Sequence, residues 1–373
     1  MSVPPAPDLA PTGPGGAPWP VTTWYGAVET EFTAVFVQDL WSTSLRTAVA
    51  HWLGPAAVHY VEAMPGRKYR AVLPWLTLGR PGRLAHRCLV PELLFAVFYC
   101  LDDLLDRKRV RYGTATAYAA HGRRELTRSL DAARRGVPRS GPLAGLAGAL
   151  WEECVSGMAD GQSQRHALTP GAFSWERYTE AARRRTAFVG RAWADVLTAG
   201  GDQRAAAFVT TAYPWCAEAG QLRNDLRNTT ARESRDGGLR HSDLGDGRVT
   251  AVSGLLWRRA DAADRQWLAT RVWGRGPLGT EALVRVDRML EHYAVRSHVA
   301  LAAGRLTRRI RAALGAIEDP RVCAVWDAWI TRQLEVGVRH GYGYGYGRGD
   351  ASVSRFRSAV AELRGPARRT DTE

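Results

Sequence analysis

Residues 92–106 carry an otherwise apolar run, Glu92-Leu-Leu-Phe-Ala-Val-Phe-Tyr-Cys-Leu-Asp102-Asp103-Leu-Leu-Asp106, into three carboxylates at i, i+1 and i+4. On a helix, i and i+4 stack on one face, and i+1 lies three residues from i+4. All three can therefore converge at one helix end. The preceding run offers them no cation, and like charges this close repel. A bound Mg²⁺ answers that repulsion, since a hard cation takes carboxylate oxygens together with water and substrate phosphate. Asp102, Asp103 and Asp106 are thus candidate metal ligands. A second group, Gln221-Leu-Arg-Asn224-Asp225-Leu-Arg-Asn228, repeats the spacing with one carboxylate and two amides. Alone it also reads as a helix C-terminus with Asn as the terminating residue. Opposed across a core, the two faces would frame a metal–phosphate site.

The elements that must position these groups are helices. Apolar residues recur at three- and four-residue steps over about 24–52, 88–107, 142–165, 174–199, 202–231, 250–270 and 280–317, and nothing reads convincingly as a strand. Several of these segments exceed 20 residues, which predicts a large bundle with its site between facing helices. Residues 1–20 hold seven Pro and three Gly, so 1–21 reads as a disordered arm, 22–339 as the helical domain, and 340–373 as a hinge with a short terminal helix near 353–364. The hinge, His340 to Asp350, is the low-complexity run HGYGYGYGRGD, and the Gly- and Arg-rich stretch 232–248 reads as a polar loop.

Composition is ordinary for a globular chain: 373 residues, 45% hydrophobic and 24% charged. The net charge of +14 is not ordinary, and all the basic residues except Lys68 and Lys108 are Arg. Such a balance attracts nucleic acid, anionic membrane surfaces and phosphorylated small molecules alike. No zinc-finger spacing, RNA-binding aromatic motif or helix-turn-helix signal accompanies it, so nucleic acid is not the expected partner. The longest apolar run, Leu93 to Leu101, falls well short of the roughly 20 residues of a membrane-spanning helix. With no signal-peptide pattern at the start, the expected location is the cytoplasm. The five cysteines are scattered and read as small apolar residues.

Taken in order, six segments resemble the trans-isoprenyl diphosphate synthase (polyprenyl synthetase) family, within the wider class I terpene synthase fold. Pro65-Gly66-Arg67-Lys68-Tyr69-Arg70 resembles the family's Gly-Gly-Lys-Arg-x-Arg segment. Asp102, Asp103 and Asp106 match its first aspartate-rich motif, and Arg111-Tyr112-Gly113 stands where Arg-Arg-Gly is usual. Gly161-Gln162 matches a Gly-Gln pair, Arg185-Thr186 replaces Lys-Thr, and Gln221 to Asn228 covers the second aspartate-rich motif. Asp243 to Thr250 resembles the Asp-Leu-x-x-Gly-Lys-x-Thr segment. The departures are specific. Phe95 replaces a Gln or His, Tyr112 replaces an Arg, and the second motif keeps one carboxylate of three. Arg185 and Arg248 stand for lysines, exchanging a point charge for a planar fork.

The resemblance implies an all-α fold, a single large helical bundle of the isoprenoid synthase type with its active site in the bundle core, and a homodimer. It implies a Mg²⁺-dependent prenyltransferase that ionises an allylic diphosphate and condenses it with isopentenyl diphosphate. On this reading Asp102, Asp106 and Asp225 are the main metal ligands, Asp103, Asn224 and Asn228 support them, and Gln221 and Thr186 complete the catalytic set. Arg67, Lys68, Arg70 and Arg111 would hold the acceptor diphosphate; Arg185 and Arg248 would clamp the allylic one. Phe98, one turn before Asp102, and Phe95, about one turn further back, would close the chain cavity and give a short product, C15 favoured and C20 possible. Their competing role is packing between helices. The nearest alternative is a class I terpene cyclase, or a prenyltransferase with a non-standard acceptor. Asn224-Asp225 resembles the cyclase motif's start, whereas Asn228 and Arg232 depart from its Ser/Thr and Glu. A non-catalytic partner subunit is the third reading, against which the intact first motif argues.

Overall fold

The computed structural model describes residues 24–63, 68–79, 82–111, 114–136, 138–141, 154, 156, 170–230, 240–334 and 350–364. The expected helix over 142–165, the Gly161-Gln162 pair, Arg67 and the 340–349 run lie outside the described residues, Cys154 and Ser156 excepted. Sixteen α-helices make up almost all of it. In chain order they are α1 Trp24–Val35, α2 Thr43–Leu53, α3 Pro55–Ala63, α4 Tyr69–Thr77, α5 Ala85–Asp106 and α6 Ala117–Arg134, followed by α7 Trp175–Arg185, α8 Ala187–Ala199 and α9 Gln203–Thr230. The remainder are α10 Ser242–Gly245, α11 Ala251–Arg259, α12 Ala262–Arg271, α13 Thr280–His292, α14 Val295–Leu314, α15 Pro320–Leu334 and α16 Asp350–Arg364. No described helix is long and apolar enough to cross a membrane.

The centre is α5, flanked by α3, α4, α6 and α8, while α9 packs on α7, α8 and α14. From Cys88 to Cys100 every residue of α5 is buried, which is why its apolar run shows no polar face. Gly190 lets α8 meet α9: a Cβ there would lie 2.6 Å from the Tyr213 ring. In α4, Pro74 removes the amide that would bond the Arg70 carbonyl. The Trp193 indole of α8 supplies the missing donor at 2.6 Å. This bond pins α4 to α8 and holds Arg70 at their junction.

Several of the continuous segments read from the sequence are broken by local chemistry. A π turn over Phe36–Leu40 and the Ser42 cap split 24–52. Thr186 separates α7 from α8, Asp261 caps α12, and left-handed Ala294 separates α13 from α14. One expectation needs correction. A two-residue hairpin, Val110–Arg111 against Thr114–Ala115, follows the aspartate motif where no strand was expected. The terminal helix begins at Asp350 and docks: Phe356 is buried edge-on against Phe32 of α1, and Val360 is fully buried.

Candidate active site

The first aspartate motif ends α5, where Arg107 adopts a left-handed cap and stops the helix. The sequence offered these carboxylates no cation, but the fold brings three. Asp102 accepts from Arg111 at 2.6 Å on one oxygen and from Arg185 at 2.6 Å on the other. Arg111 arrives on the hairpin and also bonds Asp103. Arg185 ends α7, and the break at Thr186 turns it toward α5. Arg248 lies 3.6 Å from Asp106 and 3.4 Å from Asp246. The three aspartates and three arginines balance in charge.

Their exposures separate two roles. Asp103 is fully buried and accepts a short hydrogen bond from Tyr60, so it anchors α5 to α3 and faces no ligand. Asp106, Arg185 and Arg248 are partly open, with side chains 14%, 15% and 20% exposed. Burial pushes the Asp102 carboxyl up, but Arg185 and Arg111 outweigh it and hold the group well below the ordinary carboxylate range. Burial dominates at Asp103 and raises it, against the pull of Arg111 and Tyr60.

The second motif is built differently from the expectation. Asp225 accepts from the Tyr178 hydroxyl, the Gln221 amide and the Ala251 backbone N–H, each at 2.8 Å. Ala251 is the first residue of α11, so this carboxylate sits on a helix N-terminus, where negative charge is favoured. Asn228 donates to Ser242 at 2.8 Å and accepts from the Asp243 amide at 3.3 Å, holding the 242–250 segment against α9. Gln221 is thereby a positioning residue for Asp225. Asn224 alone of the three motif positions is exposed. Thr186 is hydrogen-bonded to the buried Tyr213 hydroxyl, which fixes the break between α7 and α8.

The two walls are close. Tyr178 reaches Asp225 and Arg185 reaches Asp102 from positions seven residues apart on α7, about 10 Å along the helix. On the other side, three residues separate Arg248, beside Asp106, from Ala251, bonded to Asp225.

The acceptor cations are placed against expectation. Arg70 is 1% exposed and pairs with buried Glu92 at 3.4 Å. Its guanidinium lies 3.3 Å from the Phe95 ring centroid and 4.6 Å from that of Tyr69. Phe95 therefore covers Arg70 and does not form a lower floor beneath Phe98; the two rings are neighbours at 4.9 Å, joined by Tyr99 and Phe188. Lys68 is 3% exposed, with its ammonium 5.2 Å from the Phe36 ring and no hydrogen-bond partner among the described residues. Arg111 is buried between its aspartates and the Tyr99 ring, 4.5 Å away.

The first wall offers the kind of donor a divalent cation takes, although among the described residues no group of three or more His, Cys, Asp or Glu is gathered around one point. The donors are carboxylate oxygens: Asp106 carries a loose ion pair with Arg248, and Asp102 accepts from Arg111 and Arg185. The second wall fits less well: Asp225 already takes three donors, and the Asn228 side chain donates to Ser242 and accepts from the Asp243 N–H, while Asn224 is exposed.

No protein-family model matches the chain, and neither does any curated protein. Solved structures do. A decaprenyl diphosphate synthase from Rhodobacter capsulatus aligns over 83% of this chain and 95% of its own, with a TM-score of 0.62 and 17% identity. A heptaprenyl diphosphate synthase from Staphylococcus aureus covers 86% of this chain and 99% of its own, with a TM-score of 0.62 and 13% identity. A geranylgeranyl pyrophosphate synthase from Corynebacterium glutamicum, solved with isoprenyl diphosphate and magnesium, covers 84% and 97%, with a TM-score of 0.60 and 16% identity. At the end of α5, between α7 and the 242–250 segment, the carboxylates and arginines thus sit in the all-α bundle shared with the prenyl diphosphate synthases.

Proposed function

We propose that this protein is a prenyltransferase that ionises an allylic diphosphate between the end of α5, the end of α7 and the 242–250 segment. The observation that carries the reading is the pairing of Asp102 and Asp106 with Arg185 and Arg248, which are partly open. With no ligand bound, each arginine faces a carboxylate. An allylic diphosphate brings up to three negative charges, and planar guanidinium groups bind its oxygens in bidentate fashion. The arginines can then leave the aspartates for the phosphate, and the aspartates become free to hold Mg²⁺. Asp102 and Asp106 would hold it, with the Asn224 amide nearby. Mg²⁺ bound there would supply Lewis-acid stabilisation of charge on the departing diphosphate.

The chain's own part is electrostatic. Arg185 and Arg248 stabilise the leaving group as the C–O bond breaks, and they are already aimed before the reaction. The packed rings of Phe95, Phe98, Tyr99 and Phe188 make the α5–α8 side apolar, which would exclude water from an allylic cation formed beside it. Phe98 is 4% exposed at the start of that wall, which supports a short prenyl chain, C15 before C20. The test is release of inorganic pyrophosphate from geranyl, farnesyl and geranylgeranyl diphosphate with Mg²⁺ and after EDTA. Release that requires the metal is expected. Release at the same rate in EDTA, or none from any substrate, would refute the reading.

A further inference from the structure

From the packing around Arg70 we infer that the acceptor in this reaction carries no diphosphate: the allylic cation is captured by an uncharged carbon–carbon π bond. The inference rests on the ionisation reading above and names its second substrate class. A diphosphate acceptor needs cations that are open to it. The three described cations assigned to that role by resemblance are each turned inward. Arg70 is 1% exposed, paired to Glu92 and covered by Phe95. Lys68 is 3% exposed and lies over Phe36. Arg111 is committed to both Asp102 and Asp103. Arg67 lies outside the described residues.

Opening this site would mean unstacking Phe95 from Arg70 and exposing the buried Arg70–Glu92 pair. Drawing Arg70 away would leave Glu92 as an uncompensated buried charge, a cost that a second diphosphate would have to overcome. Phe95 is decisive. A polar side chain at that position could donate to a phosphate; a phenyl ring instead screens the guanidinium. The same ring packs against Phe98 and Tyr99, so the surroundings of Arg70 on this side are aromatic and not phosphate-binding. By contrast, the partly open Arg185 and Arg248 provide for one diphosphate.

The chemistry balances without another reagent. The C–O bond breaks and both electrons leave with the diphosphate. The π pair of the uncharged double bond forms the new C–C bond, and positive charge moves to that alkene's other carbon. Loss of an adjacent proton to the released diphosphate gives a neutral product. The π bond has two sources: a distal double bond of the same prenyl chain, giving a ring, or a separate uncharged alkene or arene.

The test has a binding arm and a product arm. In the first, isopentenyl diphosphate is titrated calorimetrically into the protein holding Mg²⁺ and a thio-analogue of farnesyl diphosphate that cannot ionise. No further heat of binding is expected; saturable binding of one isopentenyl diphosphate per chain would overturn the inference. In the second, each allylic diphosphate is supplied alone and with isopentenyl diphosphate, and extracts are analysed by mass. Unchanged pyrophosphate release and an uncharged product with no added five-carbon unit are expected. A cyclic hydrocarbon from one substrate alone identifies the chain's own double bond; a product carrying added indole, supplied in a third incubation, identifies the separate acceptor. A prenyl diphosphate lengthened by five carbons would overturn the inference. If no substrate ionises, the parent reading fails, while the calorimetric arm still decides whether an acceptor-diphosphate site exists.

Discussion

At the scale of single residues, Asp102 and Asp106 do different work although the sequence presents them as equals. Asp102 is buried between two guanidinium groups, so Asp102→Ala should cost about 3–5 kcal/mol of stability as well as turnover. Asp106 has only the loose contact to Arg248, worth at most about 1 kcal/mol. Asp106→Ala should therefore abolish turnover with little change in the urea midpoint, a separation that paired unfolding and pyrophosphate assays would read. Arg248→Gln should lower the rate by about 10²–10³-fold, the usual loss of one preorganised donor to a charged leaving group. The carboxylates were legible in the sequence because three acids end an apolar run. Arg185 and Arg248 stood out only through the motif resemblance, as diphosphate ligands; with nearly all of 51 basic residues being Arg, composition gave no sign that they pair with these aspartates. Tyr60 and Tyr178 were equally hidden, lying 43 and 47 residues from the aspartates they reach.

At the scale of elements, the C-terminal end of α9 is a hub. Asp225 holds α7 through Tyr178 and the start of α11 through the Ala251 amide. Hydrogen bonds to a charged group contribute about 1.5–3 kcal/mol each. Asp225→Ala should therefore destabilise the fold by several kcal/mol while leaving Mn²⁺ affinity at the first wall unchanged in protein that remains folded. A neighbouring contact adds pH dependence. His241, left-handed and buried, meets Asp287 at 3.0 Å, and Asp287 also pairs with Arg240 and Arg296. Burial lowers the His241 pKa from the ordinary 6.5, with Arg296 and Arg240 adding repulsion against the favourable Asp287. The unfolded chain then binds the proton more readily than the folded one. Stability is full above about pH 6.5 and falls as pH drops through the window below it. Urea unfolding across that window should show a shallower slope in His241→Gln than in the wild type. The long helices were readable from apolar spacing: 88–107 and 202–231 correspond to α5 and α9. The helix α6 was not, because Leu126, Ser129, Ala132 and Ala133 make a thin buried stripe on a polar helix kinked at Gly122.

At the scale of the whole molecule, the excess of positive charge is spent inside as well as outside. Arg70 and Arg111 are buried and paired, while Arg185 and Arg248 are held at carboxylates in a pocket of balanced charge. A balanced pocket attracts a free divalent cation weakly, because the carboxylates already have partners. A diphosphate that draws off the arginines uncovers them, so metal and diphosphate should bind cooperatively. The most direct measurement is an electron paramagnetic resonance titration of free Mn²⁺ in the presence and absence of inorganic pyrophosphate, for the wild type and Asp106→Ala. The wild type should take up Mn²⁺ tightly only when pyrophosphate is present, and Asp106→Ala should lose that uptake. Equal uptake with and without pyrophosphate, or full uptake by Asp106→Ala, would contradict the assignment of the α5 carboxylates and their arginines as the site of ionisation.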